Sequence, residues 1–134
     1  MRSQHVSRII AASPEDVYAV ASDPGNLPAW AAGLARSEVT QDGELLYVES
    51  PMGRVVVRFA ERNGFGVLDH DVTLPSGTVV TNPFRVLSHP LGAEVVFTVR
   101  QLDLSDDGFD RDAQLVAEDL DRLAALVAAR LGTR

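Results

Sequence analysis

Apolar residues fall at three successive spacings along the chain. Val6-Ser7-Arg8-Ile9-Ile10 is rich in β-branched side chains and predicts a first strand. Ser13-Pro14-Glu15-Asp16 follows with the make-up of a helix start: serine as N-cap, proline at the first helical position, an acid three residues after the serine. Val17, Val20 and Ala21 give this short helix its buried stripe, and it stops at Asp23-Pro24-Gly25. A second short helix carries Leu27, Trp30 and Ala31 and ends near Gly33. The period then changes. Turn signals recur at Asp42-Gly43, Pro51-Met52-Gly53, Asn63-Gly64, Pro75-Ser76-Gly77 and Pro90-Leu91-Gly92. Between them lie six strand-like runs: Ala35–Thr40, Glu44–Ser50, Arg54–Glu61, Phe65–Leu74, Thr78–Leu87 and Ala93–Leu102.

The tail changes period again. Ser105 precedes Asp106 and Asp107, an N-cap followed by acids suited to the positive end of a helix dipole. Phe109, Ala113, Val116, Leu120, Leu123, Val127 and Leu131 then recur every three or four residues, as one face of a helix does. Arg130 and Gly132 close it. At a 1.5 Å rise per residue this helix is roughly 35–40 Å long, enough to span a small domain. Its apolar stripe must be covered, and the sheet is what can cover it. The order predicts an α+β helix-grip fold. A seven-stranded curved antiparallel sheet wraps a long C-terminal helix, with two short helices after the first strand. One domain over 1–134 is expected, with no linker or repeat.

Alternation assigns the faces of the strands. Arg54, Arg58 and Arg62 share one parity, so Val55, Val57 and Phe59 face the helix. Glu94 and Arg100 share another, which turns Val95, Phe97 and Val99 inward. Asp69 and Asp71 face out, leaving Leu68, His70 and Val72 inside. Val80, Asn82, Phe84 and Val86 form the more apolar face of their run. Arg85 then points outward, unless Pro83 introduces a bulge. The facing of Tyr18 and Tyr47 is left open. The concave face is thus apolar, with two polar intruders, His70 and Asn82. They lie six residues before and six after Ser76, so the turn should set them opposite each other, about 4.5–5.5 Å apart at Cβ. They either grip the polar end of a ligand or satisfy each other or a backbone group.

The element order and several segments resemble the START, polyketide-cyclase and pollen-allergen-like superfamily, SRPBCC. Ile9-Ile10-Ala11-Ala12-Ser13-Pro14-Glu15-Asp16-Val17-Tyr18 is similar to its first strand and helix. Ala21-Ser22-Asp23-Pro24-Gly25-Asn26-Leu27-Pro28-Ala29-Trp30 resembles its helix junction, Asp-Pro, three residues, Pro, one residue, Trp. Asn82-Pro83-Phe84-Arg85-Val86 and Glu94-Val95-Val96-Phe97-Thr98 resemble small bacterial members. The resemblance implies a helix-grip fold, and puts Trp30 on the short helix that lines the cavity mouth, where it serves either as a gate or as an ordinary core anchor. Members bind lipids, sterols, hormones and polyketides, and some are enzymes, so the function is not implied with it.

Composition removes whole classes of chemistry. There is no cysteine, hence no disulfide, thiolate nucleophile or sulfur-ligated metal. There is no lysine, hence no Schiff base and no phosphate-loop lysine. The three histidines are dispersed, and Asp69 and Asp71 point away from His70, so neither metal nor other cofactor is expected. A net charge of −7 disfavours nucleic acid and anionic membranes. No membrane span and no signal peptide is visible, and the expected location is the cytoplasm.

The candidate ligand-lining set is Trp30, Val57, Phe59, Leu68, His70, Asn82, Phe84, Phe97, Val116 and Leu120. The favoured function is binding or carriage of an apolar or aromatic small molecule between sheet and helix. Two alternatives stand beside it. One is a cyclase or dehydratase that uses His70 as its acid or base, with Asn82 as oxyanion donor. The other is a protein-interaction module of the chaperone-activator type. Oligomeric state is open, a homodimer included.

Overall fold

The computed structural model describes residues 1–31, 39–50 and 53–132. The helix end at Gly33, the first part of the Ala35–Thr40 run and Pro51-Met52 lie outside the described residues. The chain forms β1 (Ser3–Ile10), α1 (Pro14–Ala21), a 3-10 turn (Pro24–Asn26) and α2 (Leu27–Trp30). There follow β2 (Val39–Asp42), β3 (Leu45–Ser50), β4 (Gly53–Phe59), β5 (His70–Thr73), β6 (Val79–Asn82), β7 (Phe84–His89), β8 (Gly92–Arg100) and α3 (Asp106–Gly132).

Local chemistry fixes the helix starts. Ser13 Oγ accepts the Asp16 N–H at 3.1 Å, with Pro14 opening the first turn of α1. Asp23 caps the 3-10 turn by accepting the Gly25 N–H at 3.0 Å. Ser105 Oγ accepts the Gly108 N–H at 3.1 Å and starts α3. On α3, Phe109, Ala113, Ala117, Leu120, Leu123 and Val127 are buried, and Val116 is half-buried beside them. This stripe packs on β1, β8, α1 and α2. Ion pairs Arg2–Asp110 (3.2 Å) and Arg8–Asp121 (2.8 Å) fasten β1 to the solvent side of the helix.

The expected single seven-stranded sheet is not what forms. The strands make a three-stranded sheet, β1-β8-β7, and a five-stranded sheet, β2-β3-β4-β5-β6, all antiparallel. The split falls at Pro83. Proline has no N–H for the ladder, and the expected Thr78–Leu87 strand breaks there into β6, which pairs with β5, and β7, which pairs with β8. The Phe65–Leu74 run is likewise regular only over His70–Thr73. Before it, the Asn63 side chain organises a loop: Oδ1 accepts the N–H groups of Phe65 (2.9 Å) and Val67 (3.1 Å), and Nδ2 donates to the carbonyls of Glu61 and Val67, both at 2.9 Å.

The break is stitched rather than open. Leu68 N–H donates to the Phe84 carbonyl and Val86 N–H to the Gly66 carbonyl, each at 2.8 Å. Gly66 has φ +73°, and a Cβ there would stand 2.1 Å from the Val86 carbonyl oxygen, so the close approach requires glycine. The Asp69 carboxylate accepts the Phe84 N–H at 2.8 Å and clasps Arg85 through both oxygens, at 2.8 and 2.7 Å. That pairing holds the Asp69 carboxyl below its ordinary range, despite some burial. Arg85 therefore lies on the outer face, and the backbone N–H released beside Pro83 has an acceptor. No helix among the described residues is long and apolar enough to cross a membrane.

Candidate functional site

Strand alternation delivers the candidate side chains to the inner face. Val57, Leu68, Phe84 and Leu120 are fully buried, and Trp30 is packed beside them at the end of α2. Phe59, Asn82, Phe97 and Val116 also belong to this set but are only half-buried. Those four come from β4, β6, β8 and α3. The inner layer is therefore closed around Trp30 and Phe84 and looser around Phe59, Asn82 and Phe97.

His70 stands at the centre of the looser part. It opens β5, pairs with Phe59 on one side and with Asn82 on the other, and is 5% exposed. Asn82 is thus opposite His70, where the count from Ser76 requires it. The imidazole lies 4.7 Å from the Phe59 ring centroid and 5.7 Å from that of Phe97. Phe97 is 5.5 Å from Phe84, and Phe84 is 5.7 Å from Trp30. A continuous aromatic run thus crosses from the five-stranded sheet through the three-stranded sheet to α2.

The protonation state of His70 follows from its surroundings. Nδ1 is 3.0 Å from the Leu68 carbonyl oxygen, which can only accept, so Nδ1 carries the hydrogen and Nε2 is the bare acceptor. Burial pushes the histidine pKa down, against the raising effects of that carbonyl and of Asp69 and Asp71. The ring is neutral at neutral pH. It does not hydrogen-bond Asn82, whose amide makes no side-chain hydrogen bond among the described residues. Trp30 presents a third polar atom: its buried Nε1–H has no acceptor among the described residues.

Several residues left open by alternation find places elsewhere. Tyr18 is buried and its hydroxyl accepts the Asn63 N–H at 3.1 Å, under the Arg62 guanidinium. Tyr47 lies opposite in face to the buried Leu46 and Val48 and packs under Arg54. Asp69, Asp71 and Arg85 are on the outer surface, away from His70. Among the described residues no group of three or more metal-ligating side chains is gathered. The Trp30 and Asp69 roles have no signal in the sequence pattern, because each depends on a neighbour brought from far along the chain.

Two surface clefts lie away from this site. One, of about 520 Å³, runs between β1 and α3 past His5, Arg8, Asp110 and Gln114. The other, of about 410 Å³, lies between α1, the Arg62–Gly66 loop and β7. The first is polar and flanked by ion pairs, and the second is floored by Tyr18 and rimmed by an exposed Phe65. Neither contains any member of the candidate set.

A family model described as polyketide cyclase/dehydrase and lipid transport matches residues 1–131. No curated protein matches the sequence. Among solved structures, a protein of Mesorhizobium loti aligns with a TM-score of 0.72 at 14% identity, over 96% of this chain and 98% of that one. A protein of Chromobacterium violaceum gives 0.68 at 16% identity, over 95% and 98%. Ara h 8.0201 gives 0.65 at 9% identity, over 96% and 98%. At such identities the likeness is one of fold: antiparallel sheet packed on a long C-terminal helix.

Proposed function

We infer function from one premise: this chain belongs to the polyketide cyclase/dehydrase and lipid transport family, whose model spans residues 1–131. The activities in that description share an apolar small molecule as their object. We propose that this protein binds or carries such a molecule, one with an aromatic or otherwise flat unsaturated body, at the inner face around His70.

The observation that carries this reading is the half-buried set Phe59, Asn82 and Phe97 around a neutral His70. Inward-facing aromatic rings that retain exposure are what an apolar ligand can cover. A few polar atoms then fix its orientation. The enzymatic alternative would use the bare Nε2 of His70 as a base. Among the described residues no second titratable group stands beside it to share the acid and base roles, and Asp69 and Asp71 are turned to the opposite face. Binding without chemistry is the better-supported reading. One experiment tests it: native mass spectrometry of freshly purified protein. An added mass in the small-molecule range, lost on denaturation and extractable into organic solvent, is expected. A clean apo mass, together with no binding of added aromatic probes, would contradict it.

A further inference from the structure

The closed end of the aromatic run contains a donor with nothing to donate to. Trp30 is 4% exposed, and its Nε1–H is buried without an acceptor among the described residues. An indole nitrogen donates only, so no rearrangement of its own proton can satisfy it. A buried donor left unpaired is destabilising, and its presence calls for a partner that arrives. The other end presents the complementary group. With Nδ1 committed to Leu68, the neutral His70 offers Nε2 as an acceptor.

Among the described residues, the charged groups nearest His70 are turned away from this face. Asp69, Asp71 and Arg85 point to the outer face. Among the described residues, Arg130 donates to Asn26 Oδ1 at 3.0 Å just before α2, and the cation at the far end of that helix is Arg122. It donates to the Trp30 carbonyl at 3.4 Å, is paired with Asp119, and is partly in solvent. A carboxylate brought to the inner face would lose its hydration and meet no free cation among these groups. Phe84 and Phe97, 5.5 Å apart, link the Trp30 and His70 rings. Phe84 is fully buried, so a ligand reaches Trp30 by parting these rings.

We infer, on the reading that the inner face is the binding site, that the ligand is uncharged. It accepts a hydrogen bond from Trp30 Nε1–H through a carbonyl-type oxygen and donates one to His70 Nε2 through a hydroxyl or N–H. Trp30 is then a specificity residue for the acceptor oxygen, while the uncharged surroundings, rather than its N–H, disfavour a carboxylate.

Trp30 is the sole tryptophan, so the full chain gives one indole N–H resonance. Four probes are titrated at near-neutral pH: para-hydroxyacetophenone, acetophenone, toluene and para-hydroxybenzoate. The inference expects the hydroxyketone to bind tightest, the plain ketone next, and the benzoate at least tenfold weaker than the hydroxyketone. It also expects the indole N–H to move downfield with the ketones but not with toluene. In Trp30→Phe, which keeps a ring and removes the donor, ketone affinity should fall roughly three- to tenfold while toluene affinity holds. The indole resonance in the unmutated chain decides the matter even if that variant folds poorly. Benzoate binding equal to that of the hydroxyketone, or an indole N–H unmoved by saturating ketone, would overturn the inference while toluene binding left the broader reading intact. Failure of all four probes to bind would overturn both.

Discussion

The two ends of the inner face differ in what their side chains have left to do. Around Trp30, Phe84, Leu68 and Leu120 the packing is complete and exposure is nil or nearly so. Around His70 the neighbouring Phe59, Asn82, Phe97 and Val116 follow the same alternation yet keep part of their surface. Both ends are apolar by pattern. The chain changes sheet at Pro83, leaving the five-stranded sheet and continuing in the three-stranded one. Phe84 and Leu68, stitched to each other across that break, are fully buried, while Phe59 and Asn82, at the ends of β4 and β6, keep part of their exposure. Pattern decides which way a side chain points, and topology decides whether anything covers it.

The contrast predicts unequal costs of truncation. At the closed end, Leu120→Ala should lower stability in urea melts by about 2–5 kcal/mol, the range for deleting a fully packed leucine. A loss under about 1 kcal/mol would mean the α3 stripe is not core. At the seam, Asp69→Ala removes the acceptor of the Phe84 N–H and both contacts to Arg85. A cost of roughly 1.5–3 kcal/mol is expected for losing charge-assisted bonds. No change would show that the seam holds without its clasp. At the open end, Phe59→Ala should cost about 1–2 kcal/mol, because only part of the ring leaves water on folding. The same variant should weaken binding of an aromatic probe several-fold. If Phe59→Ala destabilises as much as Leu120→Ala, the distinction between the ends collapses.

Acid titration sharpens the comparison further. The folded His70 stays neutral below the ordinary histidine value of 6.5, whereas the unfolded chain takes up the proton there. The unfolded state then binds more protons, so stability falls as pH drops below that value and goes on falling until the folded ring is itself protonated. Asp69, held below its ordinary 3.8, adds a separate loss at lower pH. The His70→Gln variant should lose the first slope and keep the second. A first slope that survives the substitution would assign it to another group.

Much of this was legible in the chain and part of it was not. The helix starts at Ser13 and Ser105, the α3 stripe and the inward parity of Val57, Leu68 and His70 rest on local pattern, and they hold. The tight turn at Pro75-Ser76-Gly77 made the His70–Asn82 register countable, because few residues separate the strands. The division into two sheets was not countable. Pro83 signals an interruption, but whether it makes a bulge or a change of sheet depends on a carboxylate that returns from position 69. Asn63-Gly64 has the signature of a hairpin turn, yet the Asn63 amide ties a wider loop, and Tyr18 from α1 completes it. The stranded Trp30 N–H has no sequence signal, since a missing partner is a property of the packed neighbourhood.

The central claim is that the inner face around His70, and neither surface cleft, takes up an apolar molecule. The direct measurement is an NMR titration of the full chain with acetophenone, following the His70 imidazole and the Phe59 and Phe97 ring resonances. Saturable shifts at those three residues, larger than any at His5 or Tyr18, are predicted. Shifts confined to His5 and Gln114, or to Tyr18 and Phe65, would place the ligand in a surface cleft and contradict the account.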